Sequence, residues 1–513
     1  MSKIRKPDVL TTFAHLSSDL IYTSPQYAKL GLNLLPNDIW RDKNIKILDP
    51  VCKSGSFLRE ATSKLIEGLE GQFKNKQDTI NHILTKQIYG ISCESLTALI
   101  TRRTLYCSRV ANGTMSICSG FDNEDGNIHY QEYSHHWVNG QCKYCGASLK
   151  KYDRDSKLEQ YAFPFIHTEK PDKIFDVKFD IIIGNPPYQL EDDGAGRSAK
   201  LIFHHFVNQA KKLNPKYLIM IIPSRWFTGG KGMDSFRETM LNDKRIRMIH
   251  DFPNSKDVFP GPSIRGGVCY FLWDRDNEGD CEVTTHIGDE TNSMTRPLKF
   301  NKTDVFIRDN KAIPIVERVV NSKNFENIKK IISSRKPFGL ETTFSDYTKT
   351  KQKDLAKYCK IFANKNVGFI ERKKVIQNNQ WIDKFKVLVP YAIGSGDSRT
   401  DKVNPILAEL GTCCTETYLV FGPLDKKECE NLISYINTKF FHFMLGIKKN
   451  TQHTTAQVYE FVPKVDLTKA YNDKILFDLY SLSEEERSYI EETVISASEL
   501  KTKKIFKPII SDD

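Results

Sequence analysis

The sequence predicts an α/β protein in which a parallel sheet is covered by helices and followed by a separate, basic region. Three observations carry that expectation. Apolar runs of strand length alternate with amphipathic stretches through the first half of the 513 residues. The two most apolar, Ile181–Ile183 and Leu218–Ile222, suit strands buried on both faces. Beyond roughly residues 290–320 this rhythm ends and positive charge accumulates: residues 321–390 hold 16 Lys and Arg against 6 Asp and Glu.

In chain order, Ile45–Leu48 reads as a strand. Phe57–Leu69 reads as a helix, with Leu58, Ala61, Leu65 and Leu69 on one face. Ile88–Ile91 is a second strand, followed by a helix from Ser95 to about Tyr106. Residues 111–160, rich in Asn, Gly, Tyr, His and Cys, lack helical periodicity and read as an insertion. Strands Phe179–Ile183 and Leu218–Ile222 flank a helix at Leu201–Lys212, and Ile246–Asp251 and Val268–Trp273 complete the set. The expected layout is one domain from 1–110 and 161–295, an insertion at 111–160, and a second domain at 300–513. Ligands of such a sheet lie beyond the carboxyl ends of its strands.

Composition excludes several classes. At 39% hydrophobic and 27% charged, the chain is too apolar for wholesale disorder. No run approaches the roughly 18 apolar residues of a membrane helix, so no membrane partner is expected. The amino-terminal MSKIRKPDVL has no apolar core for export, and 12 cysteines are too few for a disulfide scaffold. Reduced thiols and a cytoplasmic location follow as expectations. A net charge of +11 suits a polyanionic partner.

Two strand ends carry chemistry. KILDPVCKSGSFL places Asp49, Pro50, Cys52, Ser54 and Gly55 between a strand and a helix, where small residues let backbone N–H groups approach a ligand. After the next strand, Glu94 or Ser92 stands where an acid would hold ribose hydroxyls. DIIIGNPPY is the more informative stretch. Its strand delivers Asn185 to a carboxyl end, and Pro186 and Pro187 stiffen the loop while removing two N–H donors. The Asn185 side-chain oxygen and the Pro186 carbonyl can then each accept one N–H of a planar amino group, turning its lone pair towards an electrophile. Tyr188 offers a ring face for stacking, typically about 1–3 kcal/mol per base. Pro223-Ser224-Arg225-Trp226-Phe227 follows another strand, with Trp226 read as packing beneath that loop.

These residues resemble the AdoMet-dependent amino-methyltransferases, and within them the gamma class of N6-adenine DNA methyltransferases of restriction–modification systems, with a TaqI-like order of motifs. The resemblance covers roughly residues 10–280. It implies a Rossmann-like catalytic sheet followed by a carboxy-terminal α+β target-recognition domain that binds double-stranded DNA. It assigns catalysis to Asn185, Pro186, Pro187 and Tyr188. S-adenosyl-L-methionine would be held by Tyr22, Thr23 and Pro25 of an upstream box, by the Asp49, Pro50, Cys52 and Gly55 loop, and by Glu94 and Glu169. Lys53 stands where the family loop has glycine. Cleavage is assigned to a cognate restriction endonuclease on a separate chain. The competing readings are transfer to RNA or to a protein glutamine, and a DNA-binding module without activity.

Within the insertion, Cys142-Lys143-Tyr144-Cys145-Gly146 has the form of a zinc knuckle. His136, Cys142 and Cys145 are the expected ligands of a structural Zn²⁺, with Cys118, His129, His135 and His167 as candidates for the fourth position. In the basic region, Arg372, Lys373 and Lys374 are the leading candidates for phosphate contacts, with the polar loop Lys448–Gln457 as a second reading surface.

Overall fold

The computed structural model describes residues 23–152, 162–190, 200–228, 232–259, 264, 266–300, 305–394, 402–449 and 452–494. The chain divides into two units, one ending at Phe306 and the other beginning at Ile307.

The first unit is built on a nine-stranded sheet. Its strands are β1 (Ile47–Asp49), β2 (Ile88–Ser92), β3 (Ile128–Tyr130), β6 (Ile181–Gly184), β7 (Tyr217–Pro223), β8 (Ile246–Phe252), β9 (Val268–Asp274), β10 (Cys281–Ile287) and β11 (Glu290–Arg296). A separate hairpin joins β4 (Trp137–Val138) to β5 (Gln141–Cys142). The spatial order is β11-β10-β8-β9-β7-β6-β1-β2-β3. The central strands are parallel, and the apolar runs in them are wholly buried: Ile47, Leu48, Ile181–Ile183 and Leu218–Ile222 each have no exposed surface. Helices Ser56–Gly68, Ser95–Tyr106 and Phe203–Lys212 connect them, with Leu58, Ala61 and Leu65 of the first turned into the core.

The structure departs from the expected layout twice. The sheet is mixed, because β9 lies antiparallel between β7 and β8. β8 ends and β9 begins at the same edge of the sheet, so the two strands run in opposite directions. Gly267 makes that return feasible: at φ 80°, any Cβ on it would lie 2.1 Å from the Phe252 carbonyl oxygen. Secondly, β3 pairs in parallel with β2 through Gly90–Ile128, Ile91–His129 and Ser92–Tyr130. The segment read as an insertion from residue 111 therefore supplies a sheet strand first, and the inserted part begins after Tyr130.

The second unit contains two three-stranded sheets. One comprises β12 (Tyr358–Ala363), β13 (Asn366–Glu371) and β16 (Thr412–Cys414). The other comprises β14 (Phe385–Pro390), β15 (Ile406–Ala408) and β17 (Tyr418–Leu424). The apolar stretch around Tyr435–Met444 forms two helices, Lys426–Ile436 and Lys439–Gly446, because Thr438 caps a new start by accepting the Phe441 N–H. Ser483 and Glu486 make the reciprocal cap of the helix Glu484–Thr493. Among the described residues, no helix is long and apolar enough to cross a membrane.

Candidate active site

Strands β1 and β6 are neighbours, with Ile47 opposite Ile181 and Leu48 opposite Ile182. Their carboxyl ends therefore deliver Asp49 and Asn185 side by side. Gly184 closes the gap between them: a Cβ there would stand 2.9 Å from Asp49 Oδ1 and 3.4 Å from Pro50 Cδ. This glycine was not singled out in the sequence, where it reads only as the residue before the Asn-Pro-Pro-Tyr box.

The loop after β1 is tightly held. Asp49 is 3% exposed, and its Oδ1 accepts the Val51 N–H at 3.0 Å. Burial pushes its carboxyl up to about 7, opposed by that hydrogen bond and by the charge of Lys53. Cys52 is wholly buried and donates its backbone N–H to the Ile91 carbonyl at 2.8 Å, tying the loop to β2. Burial also raises the Cys52 thiol well above its ordinary range, as expected of a packing group. The left-handed turn falls on Gly55, at φ 72°, and not on Lys53. A Cβ on Gly55 would meet Thr101 Cγ2 at 3.0 Å.

The upstream box and the Asn-Pro-Pro-Tyr box meet. Asn185 Nδ2 donates to Thr23 Oγ1 at 3.1 Å, with both residues buried. That bond fixes the plane of the amide and the face on which its oxygen lies. Pro25 starts the helix Pro25–Leu32 immediately beyond; Tyr22 lies outside the described residues. Pro186 and Pro187 are buried, and the Tyr188 carbonyl accepts the Ile202 N–H at 3.1 Å. Tyr188 is 7% exposed and belongs to the hydrophobic core of the first unit. Its hydroxyl has no hydrogen-bond partner among the described residues.

After β2, Ser92 and Glu94 stand in different surroundings. Ser92 is wholly buried, and its hydroxyl is engaged with Thr97 Oγ1 at 2.5 Å and the Glu94 carbonyl at 3.0 Å. Glu94 is half-buried at the start of the helix Ser95–Tyr106.

Glu169 does not join this group. It lines a cleft of about 470 Å³ with Asp176, Phe179, Lys212 and Leu213, residues just before β6 and at the end of the helix Phe203–Lys212. That is the amino edge of the sheet, opposite Asp49 and Asn185. Its exposed carboxylate pairs with Lys143 of the insertion at 3.4 Å. Beyond the carboxyl end of β3, two residues on, stands Glu132. Its position could not be read while β3 itself went unrecognised.

Further along the carboxyl edge, Ser224 Oγ donates to the wholly buried Asp251 at 2.7 Å, pinning the loop after β7 to the end of β8. Trp226 is wholly buried among Phe227, Phe236 and Phe306, in line with its reading as a packing residue.

The Cys/His segment also needs one correction. His136 is exposed. Its neighbour His135 is buried and stands with Cys142, Cys145 and His167, their four ligand atoms all within 4.8 Å of one another. Alternation along the chain turns His135 to the side of Trp137, whose cross-strand partner is Cys142, and turns His136 away.

The basic region is less free than its composition suggests. Arg372 grips Asp383 through two bonds of 2.6 and 2.8 Å, Lys374 pairs with Asp346 at 2.6 Å, and Lys373 with Glu371 at 2.8 Å. Lys386 is wholly buried, donating to the carbonyls of Trp381, Ile382 and Lys384; burial pulls its ammonium down to about 8. Lys349, Lys351, Lys353 and Lys365 are exposed, and among the described residues they meet no carboxylate. In the loop Lys448–Gln457, Lys448 pairs with Glu460 and His453 stacks on Tyr391. Asn450 and Thr451 lie outside the described residues.

The Eco57I restriction-modification methylase family matches residues 86–259. A protein of Mycoplasma pneumoniae (strain ATCC 29342 / M129 / Subtype 1), described as an uncharacterized adenine-specific methylase, is 34% identical over 330 residues, 59% of this chain and 78% of the relative. Among solved structures, the type IIL restriction-modification enzyme MmeI in complex with DNA matches with a TM-score of 0.52 and 13% identity, over 94% of this chain and 74% of that one. The type IIG restriction endonuclease BpuSI matches with a TM-score of 0.41 and 12% identity; this chain spans 62% of its length. With a paired Asp49 loop and Asn185 box on the expected strand ends, and a relative of this identity and coverage, the chain belongs to the adenine-specific methylase family of restriction–modification enzymes.

Proposed function

We propose that the protein transfers a methyl group from S-adenosyl-L-methionine to N6 of an adenine flipped out of double-stranded DNA, as the modification component of a restriction–modification system. Cleavage then belongs to a separate chain. The observation that carries this reading is Asn185, buried at the end of β6 beside the Asp49 loop, with its amide plane fixed by Thr23.

The donor, when bound, supplies an electrophilic sulfonium methyl. The Asp49–Gly55 loop and Thr23 hold it, and Glu94 rather than Ser92 meets the ribose. Asn185 and the Pro186 carbonyl each accept one N–H of the adenine amino group, drawing its lone pair out of conjugation with the ring. The N6–carbon bond forms as the sulfur–carbon bond breaks, and the extra proton on N6 leaves to solvent. These groups act by positioning and by preorganised acceptors, without a strong base. Extrusion of the base costs a few kcal/mol of unstacking.

Incubation of the purified chain with labelled donor and plasmid DNA, RNA or total protein tests the substrate. The expected result is N6-methyladenine in DNA at one recurring sequence. Label confined to RNA or to protein glutamine overturns the reading.

A pH dependence also follows. In the free protein, burial lifts the Asp49 carboxyl to about 7, so it is largely protonated below that pH. The positively charged donor favours the carboxylate, and binding therefore releases a proton. Affinity should rise with pH through 7, with a loss of about tenfold between pH 8 and pH 6. Calorimetric titration across this range should show the loss in the native protein and its removal in Asp49→Asn. An equal slope in both proteins rules out Asp49 as the titrating group.

A further inference from the structure

We infer that His135, Cys142, Cys145 and His167 bind one structural zinc ion, which fastens the inserted segment to the catalytic sheet. Four observations support the site.

The first is spacing. Tetrahedral zinc holds sulfur at about 2.3 Å and nitrogen at about 2.0–2.1 Å, which puts neighbouring ligand atoms roughly 3.3–3.8 Å apart. Here Cys142 Sγ lies 3.5 Å from His167 Nε2, Cys145 Sγ lies 3.5 Å from His135 Nδ1, and the two imidazole nitrogens are 3.2 Å apart.

The second is charge. Two thiolates balance a divalent cation, so the filled site is neutral, as suits four buried ligands.

The third is the backbone that presents the sulfurs. Asn139 and Gly140, at φ 51° and 77°, form the tight turn between β4 and β5. Gly146 at φ 68° turns the chain after Cys145, with its N–H on the Cys142 carbonyl at 2.8 Å. The Ala147 N–H points at Cys145 Sγ at 3.4 Å.

The fourth is support behind a ligand. His167 Nδ1 faces the Phe163 carbonyl at 2.9 Å, which directs Nε2 into the cluster.

Three ligands come from the insertion, whereas His167 ends the helix Pro164–His167, in the segment leading to β6. Phe163 and Phe165, at that helix, pack on Phe206 of the helix that follows the Asn-Pro-Pro-Tyr box. Lys200 adds a bond from that side to the Gly146 carbonyl at 3.3 Å. The metal therefore ties the insertion to the segment that leads into β6, and the Phe206 and Lys200 contacts carry that link to the chain beyond β6, without contributing a group at the carboxyl edge.

Elemental analysis of the full chain purified without chelators should give close to one zinc per chain. His136→Ala, which alters the exposed neighbour, should keep it; His167→Ala and Cys142→Ser should lose it. Because the last two variants can also unfold, the native chain is stripped by chelator and titrated with Co²⁺. Tetrahedral two-thiolate coordination gives intense d–d and sulfur-to-cobalt charge-transfer bands saturating at one equivalent. A chain that takes up neither metal refutes the site. Loss of zinc in His136→Ala together with retention in His167→Ala refutes the ligand set.

Discussion

Asn185→Ala is expected to lower the rate of methyl transfer on the order of 10²–10³-fold while leaving donor affinity nearly intact. The side chain lies 4% exposed at the end of β6, and its Nδ2 rests on Thr23. Truncation removes one of two acceptors for the target amino group and leaves the Asp49 loop untouched. Single-turnover kinetics on a duplex containing the recognition sequence, with calorimetric titration of the donor, separates the two effects. Turnover close to that of the native protein would end the mechanism. A large loss of donor affinity would relocate Asn185 from the target base to the donor.

A second large effect is expected in the second unit. Replacing Lys349, Lys351 and Lys353 together by Gln should weaken DNA binding and flatten the slope of log K against log[salt] by about 0.9 per lost contact, about 2.7 for three. These cations have no carboxylate partner among the described residues, so their charge is available to phosphate. The control is Arg372→Gln with Lys374→Gln, which should leave the slope unchanged, because Asp383 and Asp346 already neutralise those groups. Base preference should survive both changes, since phosphate contacts set register and base contacts specify. A slope that responds to the control pair and not to the three lysines would put the phosphate track along β13 and its following turn.

Much of the catalytic unit was legible because its signals are local. Wholly buried strands such as Ile181–Ile183 need uninterrupted apolar runs. The Asn-Pro-Pro-Tyr box is recognisable by chemistry alone, as two prolines strip donors beside an amide. What failed depended on distant partners. Strand β3 is a three-residue edge strand containing His129 and Tyr130, too short and polar to stand out from the loop around it. The position of Glu169, sixteen residues before Asn185, could not reveal that the chain turns back to the amino edge first. His135 and His136 are chemically identical neighbours; only their packing against the hairpin distinguishes them. In the basic region, counting charges could not show which acids fold against which cations.

The placement of β9 between β7 and β8 has a consequence for how the chain is made. Translation delivers residues at roughly 5–20 per second. Strand β8 is thus complete about a second or more before β9, the strand on which it must lean, has been synthesised. Until then β7 ends the growing sheet with an apolar, unpaired edge from Tyr217 to Pro223, a segment buried throughout in the finished fold. Such an edge invites pairing with another chain, the hazard that nascent sheets share. The stretch matched by the family, residues 86–259, stops before β9 and starts after β1. It carries the Asn185 box without the central strand that flanks β6 or the strand that covers β7. Expressed alone, that stretch should accumulate as aggregate.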